Sequence, residues 1–211
     1  MRRIARALAL AAMCSIAPAS ASAQITLFAN LTTGAEPSLI GPTMANGAPR
    51  PVPFGTATLT INAAQTQMMM VATIFNIDVG GAQTADPNDN LTAAHIHASS
   101  TTIIPTAGVV WGLFGTPDND VAPKQLVITP NASGLGATFT STWDMSEGNN
   151  TTLSAQLANI LAGRSYLNFH TVQNPGGEIR GTLVVVPEPA TVLLTAAGLA
   201  LLAIARKRRT R

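Results

Sequence analysis

The sequence predicts a mainly β domain: an antiparallel Ig-like or Greek-key sandwich or barrel with one short helix. Three observations predict it. Several short segments alternate apolar and polar residues with a period of two, the pattern of half-buried strands. Gly, Pro and Asn gather between those segments, where turns need them. Only one segment, near residues 151–162, carries apolar residues at helical spacing. Many short strands with a single helix suit a sandwich or barrel.

The elements follow in order. "ITLFANL" at 25–31 reads as a first strand, and 33–53 as a loop with five prolines. "GTATLTIN" at 55–62 sets Ala57, Leu59 and Ile61 against three threonines. "QMMMVATIFNI" at 67–77 reads as its hairpin partner. Consecutive methionines on a strand point to opposite faces, so Met68–Met70 read as core filling rather than as a copper-binding thioether set. The segment 79–91, with its "DPNDN", reads as a solvated turn because its spacing lacks the glycine and distal glutamate of a calcium loop. Further strands are expected near 94–98, 108–114, 125–129 and 137–144. The helical stripe is Leu153, Leu157, Ile160 and Leu161, with Asn150 or Thr151 as cap and Gly163 as stop. "SYLNFHT" and "EIRGTLVVV" then read as closing strands around an "NPGG" turn.

The two ends carry different information. Residues 1–23 have a basic start (Arg2, Arg3, Arg6), a short apolar run and Ala21-Ser22-Ala23, the composition of a secretory signal helix cut after Ala23 by signal peptidase. That cleavage discards Cys14, the single cysteine. At the other end Pro187, Glu188 and Pro189 precede an apolar run, 190–205, and a basic cluster that begins at Arg206. The run would give about 24 Å of helix, a transmembrane-like segment slightly short of a hydrocarbon core of about 30 Å. Flanking arginines can close that gap by reaching to the interface. This order of parts, across 186–211, resembles the PEP-CTERM sorting signal of Gram-negative bacteria. The resemblance implies an exosortase as processing partner. It also implies export through the periplasm to the cell surface or extracellular matrix. The protein would hold the inner membrane transiently through 190–205 before sorting. Extracellular polysaccharide or biofilm matrix is the expected surrounding.

The ends and the body differ in charge. The chain as a whole is +2. Residues 24–189 hold four cations against ten anions, a balance of −6. The acidic body has no electrostatic footing for nucleic acid.

Three segments of the body together resemble the CHRD domain: "GTATLTIN", "TAAHIHAS" at 92–99 and "YLNFHTVQNPGGEIRGTL" at 166–183. "ANLTTGAEP" at 29–37 is similar to the family's opening segment. The likeness covers residues 24–185, between signal peptide and sorting segment. It implies a β-sandwich used for binding or structure, with no catalytic activity to transfer. No Gly-x-Ser-x-Gly, P-loop or His-Glu-x-x-His motif appears in the chain.

The three histidines of the chain all fall inside those segments. His95 and His97 are two apart on a strand and share a face. His170 shares its face with Tyr166 and Asn168, expected to be the polar side. If these strands are neighbours, three imidazoles converge as a site for copper first and zinc second. Glu178, Arg180 and Asn168 are then candidates to orient the ligands. The alternative is that the histidines hydrogen-bond structurally, to Glu178, Asp78 or backbone carbonyls, while Glu178 and Arg180 form a surface ion pair.

Overall fold

The computed structural model describes residues 24–187 apart from 39, 122 and 133, and beyond them residues 194, 195, 197–199, 201, 202 and 206. The signal segment 1–23, Glu188 and Pro189 lie outside the described residues. So does part of 190–205, and no helix among the described residues is long and apolar enough to cross a membrane.

Ten strands are present: β1 (Ile25–Thr32), β2 (Phe54–Ile61), β3 (Gln67–Phe75), β4 (Leu91–Ala98), β5 (Gly108–Phe114), β6 (Val127–Pro130), β7 (Gly136–Asp144), β8 (Ser165–Thr171), β9 (Ile179–Thr182) and β10 (Val184–Val186). The helix α1 (Leu153–Leu161) precedes β8. All strand pairs are antiparallel, and they join into a single sheet of order β5-β4-β8-β9-β1-β2-β3-β7-β6, with β10 also on β1.

The sheet curls into a half-barrel because its two ends share one core. Trp111 of β5 stacks on Trp143 of β7, with centroids 5.5 Å apart and planes 3° from parallel. Phe139 of β7 meets Phe114 of β5 and Phe169 of β8 edge-on. Alternation does the rest: Leu27, Ala57, Leu59, Met68, Met70 and Ile74 are buried while their sequence neighbours face outward. Met69 is one of those outward residues, so the methionine run splits between the two faces. The last strand region, expected as one piece, divides at Leu183, which turns fully into the core.

Two local expectations change. The helix cap is Thr152, whose hydroxyl accepts from the Ala155 amide at 3.2 Å; neither Asn150 nor Thr151 fills that place. The 79–91 segment is not a solvated turn. Asp78 is buried and accepts the amides of Ala82, Gln83 and Thr84. Asp89 is buried too and takes the Thr84 hydroxyl at 3.0 Å. These carboxylates bind the chain itself, which is why the loop holds its shape.

The long 33–53 loop is clasped to the turn after β8. Asn174 hydrogen-bonds both the amide and the carbonyl of Ile40. Gln173 holds Gly41 and Thr43. Beneath them Arg50 pairs with Glu178 at 2.8 Å, both side chains buried. The second oxygen of Glu178 accepts from Thr171 and Asn174. Glu178 is therefore no surface residue, and its cation is Arg50 rather than Arg180. Removing one partner of a buried pair strands the other charge at a cost of about 3–5 kcal/mol. Glu178→Ala should lower stability by that amount in urea unfolding, and a loss under about 1 kcal/mol would contradict the clasp.

Candidate metal centre

β4 and β8 are hydrogen-bonded neighbours, so the distance of 75 residues between His95 and His170 closes in the sheet. The register sets His95 opposite Asn168, His97 opposite Tyr166 and Ala93 opposite His170. Opposed residues share a face. His95, His97 and His170 therefore stand together on the side of β4 and β8 that points away from the core, with Ile96, Leu167 and Phe169 on the other.

That side is not wet. His95, His97 and His170 are only 5, 8 and 7 % exposed, and all seven residues of β8 are buried. Loops form the cover, and each supplies one carbonyl. His95 Nε2 donates to Thr116 O at 3.0 Å, His97 Nδ1 to Ala107 O at 2.9 Å and His170 Nδ1 to Pro175 O at 3.0 Å. A carbonyl can only accept, so each contact places the proton on the nitrogen that faces it. The opposite nitrogens, His95 Nδ1, His97 Nε2 and His170 Nε2, keep lone pairs.

One ring nitrogen from each histidine lies within 4.8 Å of the other two. His95 Nδ1 and His170 Nε2 are 3.2 Å apart. Two nitrogens bound tetrahedrally to one ion at about 2.0–2.1 Å would sit about 3.3 Å apart. His97 Nε2 is buried with no hydrogen-bond partner among the described residues. The three rings thus present unprotonated nitrogens, one of them otherwise unpaired, to a common space. Burial pushes His95 down to about 4, helped by the neighbouring His170 and His97. It does the same to His97, against the Ala107 carbonyl and with His170 and Arg180 adding to it. Burial lowers His170 as well. Neutral rings at pH 7 are the ligand form of histidine.

The proposed orienting residues take other places. Glu178 holds Arg50 and the turn that carries Pro175, so it bears on His170 only through that turn. Arg180 lies over the Tyr166 ring at 4.7 Å, and Tyr166 stacks on His97 at 4.7 Å with planes 6° apart. Its guanidinium is tied to Ala35 O and Pro105 O, with Glu36 at 3.9 Å. Asn168 is buried on the histidine face with its Oδ1 unpartnered among the described residues. The groups that orient the rings are the carbonyls of Ala107, Thr116 and Pro175, as the structural alternative of bonds to backbone carbonyls expected, and not Glu178 or Asp78. Sequence reasoning did not say which residues supply them. Only Pro175 had a signal, the tight "NPGG" turn at 174–177 on the chain leaving β8. Gly112 has a packing role here: a Cβ on it would stand 1.8 Å from Pro117 O, so only glycine lets the 116–117 segment reach His95.

The family model of the CHRD domain matches residues 27–183. The chain belongs to the CHRD domain family. A model of the PEP-CTERM protein-sorting motif matches residues 185–209 directly behind it. No curated protein and no solved structure matches the chain. The CHRD domain here is thus part of an exported protein that exosortase processes and sorts to the cell envelope or surface.

The buried rings make metal-free stability depend on pH. The unfolded chain takes up histidine protons near 6.5, whereas the folded CHRD domain does so at about 4 for His95 and His97. Between those values the unfolded state binds more protons, so stability is full above about 6.5 and falls as pH drops toward 4. Glu36, pushed up to about 7 by burial, works in the opposite direction, so the test is a comparison. The metal-free H95Q/H97Q variant should lose much less melting temperature from pH 7 to pH 4 than the parent. Equal losses would refute the assignment.

Proposed function

We propose that this protein is a non-catalytic, metal-holding surface or matrix component of a Gram-negative bacterium. In this reading the CHRD domain carries one ion on His95, His97 and His170, copper by preference and zinc second. The observation that carries it is the set of three lone pairs facing one space, each fixed from behind by a backbone carbonyl. Imidazole suits both metals, and a nitrogen site of given geometry holds Cu(II) more tightly than Zn(II).

The same contacts support a holding role over catalysis. With an ion bound, each ring has one nitrogen on the metal and the other on a carbonyl. None is then free to move a proton, which general acid–base work requires. Orienting partners of metal-bound histidines are usually carboxylates or carbonyls, and here all three are carbonyls. The exosortase signal supports delivery outside, to the surface or matrix, after a membrane-anchored stage.

Metal analysis of the purified exported protein tests this. One equivalent of copper is expected, with zinc bound more weakly. His95→Ala, His97→Ala and His170→Ala should each abolish stoichiometric binding. Sub-stoichiometric uptake that the substitutions leave unchanged would overturn the proposal. Gly112→Ala keeps all three ligands but displaces Thr116 O, and its affinity should fall about 10–100-fold, the usual cost of losing an orienting partner.

A further inference from the structure

The outward face of β1, β2, β3 and β7 is built from a different chemistry. Register aligns its side chains in rows across the sheet. One row runs Val184, Phe28, Thr58, Val71, Thr140, Val127. A neighbouring row passes through Thr26, Thr60, Met69 and Thr142. On the other side Thr56, Thr73 and Thr138 add a third, with the last two hydroxyls 2.9 Å apart. These positions are exposed or half-exposed, and Phe28, Met69 and Val71 are 42, 47 and 39 % exposed.

No cation lies on β1, β2, β3, β6, β7 or β10, and the single anion is Asp144. Asp144 is already met by Gln67 and Gln125 at 2.7 Å each. At one end of the face opens a pocket of about 340 Å³, lined by Gln24, Thr60, Asn62, Gln67, Met69 and Thr142. That volume lies at the small end of ordinary ligand sites, about 300–1,000 Å³. Its lining is amide, hydroxyl, thioether and the methyl of Ala63, with no charged side chain.

We propose that this face binds a neutral polysaccharide, with one sugar ring in the terminal pocket. A sugar ring offers hydroxyls at its edges and C–H groups on its faces. The rows match both, hydroxyl beside Phe, Val or Met. The side chains of this face offer a polyanion no countercharge and a polycation only Asp144, which Gln67 and Gln125 already hold. The repetition argues for a polymer: strands repeat the same groups about every 4.8 Å across the sheet, and alternate residues about every 7 Å along it. A ligand of repeating units meets equivalent contacts many times, and weak contacts then add through avidity. The face and its residues are separate from the histidines, so this inference does not rest on the metal reading.

Native gel electrophoresis of the exported protein tests it, through the ratio of mobility with and without polymer in the gel. Dextran, galactomannan and a soluble β-glucan are the neutral probes, and alginate is the anionic control. At least one neutral polymer should retard the protein, and alginate should not. Val71→Lys puts a charge on the face and should raise the apparent dissociation constant at least tenfold. Asn46→Lys adds the same charge on an exposed loop elsewhere and should leave binding intact. Near-ultraviolet circular dichroism of the Trp111–Trp143 pair reports that both variants fold. No retardation by any neutral polymer would overturn the proposal, as would equal retardation of the two variants. A dimer in sedimentation that Val71→Lys dissociates would overturn it too, by giving the face to a second copy.

Discussion

Three neutral imidazoles held out of water set the terms for the rest of this half of the molecule. A buried ring N–H without an acceptor costs about 1–3 kcal/mol. Each histidine on β4 and β8 therefore requires a carbonyl from outside its own strand, and three separate loop segments, at 107, 116 and 175, come in to provide one. The cover in turn requires anchors. Arg180 ties residues 35 and 105 across Tyr166. The Arg50–Glu178 pair fixes the turn bearing Pro175. A site that looks like three residues is thus the centre of a layer of loops on the outer face of β4 and β8.

The scarce charges of the body follow the same economy. Asp120 is buried, holding the Gln125 amide and the Ser141 hydroxyl. Asp78 and Asp89 pin the 78–91 segment, and Glu178 pins 171–178. Buried carboxylates here fasten irregular backbone. This leaves the outward face of β1–β3 and β7 nearly free of charge.

Legibility in the sequence tracked the range of the interaction. Strand alternation is local, so β1, β2, β3, β5, β7 and β8 were readable to within a residue or two. The face shared by His95 and His97 is equally local and was readable. That His170 lies on a neighbouring strand is a long-range fact, which the sequence left open. The burial of that face was not readable, because residues 101–107 and 115–120 cover it without any periodic pattern. Nor was the partner of Glu178, since Arg50 lies 128 residues away inside a proline-rich loop. The three orienting groups are backbone carbonyls, which every residue possesses and no composition can reveal. Thr152 was missed as a cap for a smaller reason: four consecutive residues, Asn149 to Thr152, could all have served.

β10 has a consequence for where the two ends of the folded body lie. It pairs antiparallel with β1, setting Val186 opposite Thr26, so the chain enters and leaves the folded body side by side. The other end of β1 is level with Arg180 and Asn168, about 20 Å away along the strands, and the turn beyond His170 lies there. The sorting motif that exosortase processes, which begins at 185, therefore starts at the pole where β1 begins. Processing at that pole leaves the opposite one, with the turn beyond His170, untouched.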